Sequence, residues 1–320
     1  MNEHTRRRAL TVAGLTGLTG LTGLATAGSA SARERRGVPT FVFAAGANGV
    51  SSVPNELVLR GYRCVGVDLP GQLPTDAQFR LSYQAPQDLA AFATEPSPLA
   101  EVTVADHIAA TVETVRRAAA LGPVVLVGAS IGGAAISLIA NQVPKLIDLL
   151  VYDTAFCCGE LATPDEYLST EEGKATHAAV LLEFMAGDPR VIGAFRSNWR
   201  IADPARLAKA KEAFMSDSTD SEFHTFLNSM MPDELAGKGA VDSRGDLRTW
   251  GRIPRVYVRH LRDNINPLAL QDRMIREADA RTPRNRFRVF DLDTAHVPTS
   301  AKLGDLLDLY DRLARPLLRV

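Results

Sequence analysis

Residues 123–143 read PVVLVGASIGGAAISLIANQV: an unbroken apolar run, one serine hemmed in by glycines, then a small-residue helical pattern. A strand covered on one face alternates apolar and polar residues, so so uniform a run belongs to a strand buried on both faces, as in a parallel sheet. The turn that follows is tight, and glycines on either side of Ser130 admit the strained dihedrals and close backbone approach it needs. Ser130 is thereby lifted above the sheet edge, at the positive end of the next helix.

The same alternation recurs. PTFVFAAG (39–46), RCVGVDLPG (63–71), LIDLLVYDTAF (146–156), IPRVYVRH (253–260) and RFRVFDLD (286–293) are further apolar, strand-like runs; residues 104–121, 132–143 and 301–318 carry apolar residues at helical spacing. The pattern predicts a doubly wound α/β fold with a mostly parallel sheet. From 157 to 250 the alternation lapses into amphipathic helices, with turns at Thr163-Pro164, Gly187-Asp188-Pro189 and Asp203-Pro204 and no strand signal. The expected organisation is a core of residues 33–156 and 251–320 with a helical cap, 157–250, inserted after the strand ending near 156. The cap would lie over the carboxyl ends of the strands, where open α/β sheets bind ligands.

Composition narrows the function. Of the 320 residues 46% are hydrophobic and the net charge is −1, which describes a globular chain with no general attraction to nucleic acid. Residues 1–32 read differently, with Arg6-Arg7-Arg8, a weakly apolar Gly-Leu-Thr repeat and Ala30-Ser31-Ala32. This predicts an export signal of twin-arginine type and a secreted protein. So many Gly and Thr residues make a poor membrane span of the usual ~20 residues, and no stable span is expected after removal of the signal. Cys64, Cys157 and Cys158 imply no disulfide framework, and no Cys/His spacing suits a metal. A homodimer is left open.

Gly128-Ala129-Ser130-Ile131-Gly132 matches Gly-x-Ser-x-Gly in a strand-to-helix context, which makes Ser130 a candidate nucleophile. A serine hydroxyl needs a base to take its proton and a carboxylate to orient that base. His296, after the last strand, suits the base. Asp263, after the penultimate strand, suits the acid, with Asp153 its rival. The oxyanion requires two backbone donors: Ile131 supplies one and the loop AAGANG (44–49) the other, through Ala47, with Gly46 allowing close approach.

With FVFAAGANG, RCVGVDLPG, PVVLVGASIGG, LLVYDTAF, MMPDE (230–234), WGRIPRVYVRHLRDNINPLALQDRMI (250–275) and DTAHVP together, nearly the whole chain after residue 32 resembles the α/β-hydrolase superfamily. The similar branch contains plant methylesterases, hydroxynitrile lyases and bacterial carboxylesterase-like proteins. The resemblance implies an α/β-hydrolase fold, with Ser130 as nucleophile, Asp263 as acid, His296 as base and Ala47 and Ile131 as oxyanion donors. Two departures bear on substrate preference: Ala45 stands where the family commonly has histidine in the first loop, and Ala129 where histidine precedes the nucleophile. The lyase members use a threonine in that loop and a lysine after the catalytic histidine; Gly46 and Val297 stand there, which disfavours cyanide chemistry.

The expected activity is hydrolysis of a small or medium apolar carboxylic ester, with no cofactor. Gly46, Asn48, Phe156, Trp199, Phe226 and Met230 are candidate pocket residues. Two other readings share the scaffold: acyl transfer or cyclisation on the same triad, and a ligand-binding protein without turnover.

Overall fold

The computed structural model describes residues 37–49, 53–73, 76 and 79–318. The expected export signal, residues 1–32, lies outside them. Among the described residues six strands form one sheet: β1 (Thr40–Ala44), β2 (Arg63–Gly66), β3 (Val124–Ala129), β4 (Leu149–Asp153), β5 (Arg255–His260) and β6 (Arg288–Leu292). Their order is β2-β1-β3-β4-β5-β6, and every neighbouring pair is parallel.

Successive residues of a strand face opposite sides of a sheet, so a strand covered on both sides must be apolar throughout. On one side Val42, Leu126, Leu150 and Tyr152 pack with residues of α1 (Val104–Ala119), α2 (Gly132–Gln142) and α5 (Leu268–Arg281). On the other, Phe41, Val125, Val127, Val151, Val256 and Val258 pack with Leu306, Leu309 and Leu313 of α6 (Ser300–Ala314). The doubly wound α/β architecture follows the alternation read from the sequence.

Residues 157–250 hold short helices and two longer ones, α3 (Pro204–Met215) and α4 (Asp220–Ser229). The turns expected here are helix starts: Thr163 closes a capping box with Glu166, Asp188 accepts from the Arg190 amide, and Asp203 caps α3. One expectation is corrected. Phe195–Arg196 pairs antiparallel with Asp233–Glu234, where no strand was expected. Two residues leave no periodicity to read, and ions rather than an apolar run hold the pairing. The Arg196 guanidinium, fully buried, donates to Asp233 Oδ1 at 2.6 Å and Oδ2 at 2.8 Å and to the carbonyls of Phe92 (2.6 Å) and Glu95 (2.8 Å). Arg80 Nη2 reaches Asp233 Oδ2 at 2.6 Å. One carboxylate thus joins the segment after β2 to the helical segment.

Breaking such a cluster strands two buried cations. Asp233→Ala is expected to destabilise the protein by about 3–5 kcal/mol, read as a lowered midpoint in urea denaturation; a change below ~1 kcal/mol would show that solvent reaches the cluster.

Candidate active site

The strand order reverses between β1 and β3, and parallel sheets open a crevice at the carboxyl ends where that happens. Five segments follow strands at that end of the sheet: residues 45–49 after β1, Ser130 after β3, Thr154 after β4, Asp263 after β5 and His296 after β6.

Ser130 has φ 53°. Its N–H donates to the Asp153 carbonyl (3.2 Å), and its own carbonyl accepts from Gly133 (3.1 Å) and Phe156 (2.9 Å). Neighbouring backbone leaves no room for side chains: a Cβ on Gly128 would lie 2.6 Å from the Gly132 oxygen, and one on Gly132 2.7 Å from the Ala44 oxygen. At Gly46 a Cβ would sit 3.3 Å from Ser130 Cβ, so the glycine keeps the loop close to the serine. Among the described residues, the other non-glycine positions with positive φ are Asn48 (52°) and Thr154 (39°), at the ends of β1 and β4. A β-branched residue in that region is strained, and strain of this kind gathers where geometry serves function.

The structure brings His296 and Asp263 together: His296 Nδ1 lies 2.7 Å from Asp263 Oδ2. Thr154 Oγ1 donates to the same oxygen at 2.5 Å, and the Ile265 and Asn266 amides donate to Oδ1 at 2.7 and 2.9 Å. Burial pushes the Asp263 pKa up, but the His296 charge and these hydrogen bonds outweigh it and hold the carboxyl below its ordinary range. Asp153 is engaged elsewhere, by His260 Nε2 at 2.9 Å and the Tyr310 hydroxyl at 3.0 Å. Ser130 reaches the same edge, with no hydrogen bond to the His296 ring among the described residues. A gap of this kind is common before substrate binds.

Neither the Ala47 nor the Ile131 amide has an acceptor among the described residues. The loop bearing Ala47 is clasped from the helical segment. Asn48 N donates to Glu234 Oε2 at 2.5 Å, Asn48 Nδ2 to the Met231 carbonyl at 3.1 Å, and Met231 N to the Asn48 carbonyl at 2.7 Å. Asn48, expected on the pocket wall, is thus an anchor of the loop through its main chain and its side-chain amide. Of the other expected pocket residues, Phe156 (4% exposed) packs in the main core, and Trp199 (3%) stacks on Phe184 and bonds Met231. Phe226 and Met230 remain half-buried on the core of the helical segment.

Sequence reasoning missed two neighbours of the base and acid. Phe214 lies with its ring 6.3 Å from that of His296, and its carbonyl accepts from Val297 N at 2.9 Å. Thr154 donates to Asp263. Helical spacing marks Phe214 only as apolar, and Thr154 is one hydroxyl at a strand end.

The three cysteines are free. Burial pushes the thiols of Cys64 and Cys157 up to about 11 and 12, which keeps them unreactive. Among the described residues no group of three or more His, Cys, Asp or Glu gathers as a metal site, and no helix is long and apolar enough to cross a membrane.

Over residues 40–302 the chain matches the sequence profile of the alpha/beta hydrolase family. It is similar to a pyrethroid hydrolase of Sphingobium wenxiniae, 28% identical over 225 residues that make up 69% of this chain and 68% of that protein. Among solved structures it is similar to a pyrethroid hydrolase from Sphingobium faniae JZ-2, with TM-score 0.64 and 23% identity over 88% of this chain and 98% of that one. Polyneuridine aldehyde esterase shares the fold at TM-score 0.57 and 15% identity, over 85% of this chain and 99% of that one.

The lowered pKa of Asp263 has a sign for stability. A carboxylate depressed in the folded state stabilises above its unfolded pKa, about 3.9, and loses that contribution as the pH falls through the folded value. The stability gap between the wild type and Asp263→Asn is therefore expected to be full at neutral pH and to close below about pH 4, measured by urea denaturation across pH. A gap independent of pH would contradict an ionised Asp263.

Proposed function

The chain belongs to the alpha/beta hydrolase family, and on that basis we propose that it is a serine hydrolase cleaving carboxylic esters with a small or medium apolar body. The observation that carries this reading is the contact of His296 Nδ1 with the buried Asp263 carboxylate, at the edge where Ser130 is held in left-handed geometry.

In the scheme, the Asp263 carboxylate accepts a hydrogen bond from Nδ1–H, which keeps the proton on Nδ1 and leaves Nε2 of His296 free as the base. Ser130 Oγ attacks the ester carbonyl as its proton passes to His296, and the oxyanion is taken by the Ala47 and Ile131 amides. His296 returns the proton to the leaving alcohol, and water repeats the sequence on the acyl-enzyme. Phe214, Phe226 and Met230 offer apolar surface near the base. The pyrethroid hydrolase and the esterase among the similar proteins support ester hydrolysis over the other chemistries of the family. The reading of residues 1–32 as an export signal places the reaction outside the cell.

A fluorophosphonate probe followed by mass spectrometry is expected to leave one adduct, on Ser130. Ser130→Ala should lower kcat on 4-nitrophenyl esters by about 10⁴-fold or more, because the triad acts as a unit. Asp263→Asn should cost about 10⁴-fold through the wrong imidazole tautomer, whereas Asp153→Asn should stay within about tenfold, since an amide there still bonds a neutral His260 ring. A folded protein that takes no label, or a more damaging change at Asp153 than at Asp263, would sink the reading.

A further inference from the structure

Behind the Asp263–His296 contact lies a second carboxylate–imidazole pair that the scheme above does not use. His260 ends β5 and is fully buried, and Asp153 ends β4. His260 Nε2 lies 2.9 Å from Asp153 Oδ1, an ion-pair contact rather than an aligned hydrogen bond. On the far side of the ring, Nδ1 lies 2.9 Å from the Ala295 carbonyl and 3.2 Å from the carbonyl of His296 itself. Carbonyl oxygens only accept, so Nδ1 carries a proton, and the carboxylate at Nε2 favours a second one.

The main chain that carries the ring is fixed on both sides. The His260 amide donates to Gln271 Oε1 at 3.1 Å, and Gln271 Nε2 donates back to the His260 carbonyl (3.0 Å) and onward to the Asn266 carbonyl (2.7 Å). Asn266 donates through its amide to Asp263 and through Nδ2 to the Thr154 carbonyl at 2.6 Å. The charged and titratable groups around the ring are Asp153 and Asp263, with Tyr310 donating to the outer oxygen of Asp153. Burial pushes the His260 pKa down, but the Asp153 carboxylate beside it, then Asp263 and the Ala295 carbonyl, raise it on balance.

We propose that His260 is a positioning residue: its Nδ1 proton, lying between the carbonyls of Ala295 and His296, holds the main chain that presents the His296 ring, and Asp153 holds His260 in the orientation that makes this possible. The inference rests on His296 being the base. The ring links the end of β4 to the loop after β6 across β5, and no other buried side chain described above bonds the His296 carbonyl.

The test compares two substitutions in the full chain, with 4-nitrophenyl acetate as the probe ester. Asparagine places its Nδ2 donor near the former Nδ1, and leucine fills the space with no donor. His260→Leu is expected to lower kcat by about 30- to 100-fold with KM nearly unchanged, the scale of a misplaced catalytic group. His260→Asn should recover to within about fivefold of the wild type. Equal kcat in the two folded variants, high or low, would overturn the proposal, since packing alone treats both alike. Nitrogen-15 NMR of the imidazole in the wild type, at pH 8, is the second readout and needs no activity. It should show a proton on Nδ1 of His260, and a ring lacking that proton overturns the proposal even if His260→Leu fails to fold. Failure of the hydrolase reading would appear separately, as wild-type turnover that survives Ser130→Ala.

Discussion

The interaction on which the rest depends is the burial of one negative charge, on Asp263. An uncompensated carboxylate away from water is too costly to keep ionised, so its surroundings must supply donors and positive charge. Here Thr154, Ile265, Asn266 and His296 do so, from the segments after β4, β5 and β6. Removing any one strand end would leave the charge short of partners, so the requirement to satisfy it brings three loops into one arrangement. The His296 ring is oriented as a by-product of solvation.

The sheet supplies the other half of the argument. Five parallel pairings aim six carboxyl ends at the same edge, and the reversal at β1 and β3 falls where the Gly46 loop meets Ser130. The strained residues, Asn48, Ser130 and Thr154, all sit there. Each is tied by bonds that a relaxed backbone would give up: Asn48 to Met231 and Glu234, Ser130 to Asp153, Gly133 and Phe156, Thr154 to Asp263. The regular core, apolar on both faces of β3 and β4, provides the stability against which such strain persists.

The strands and principal helices of the core were legible in the sequence because each obeys one period, and the glycines around Ser130 because backbone contact demands them. Ser130, Asp263 and His296 could be named from their places after strands. What stayed hidden depends on pairing across distance. The Phe195–Arg196 strand is held by buried ions contributed by residues 80, 196 and 233, and nothing local announces them. Phe156 and Trp199 read as pocket aromatics because an apolar side chain has the same signature whether it lines a cavity or fills a core. The same holds for Asn48, whose turn-forming residue type fitted the loop while its partners lay some 180 residues on. Asp153, a rival acid on sequence order, is paired instead with His260, which nothing local marks as its partner.

The core of the helical segment is not closed on itself. It includes Ile265, whose amide donates to the Asp263 carboxylate, and Val297, next to His296, alongside Phe184, Phe214 and Phe223. A change of volume in a close-packed interior is transmitted to its neighbours, so one inside this segment reaches the loops that carry Asp263 and His296. Phe226 and Met230, half-buried at its margin, have solvent to give way into, and a change there can be absorbed without disturbing those loops.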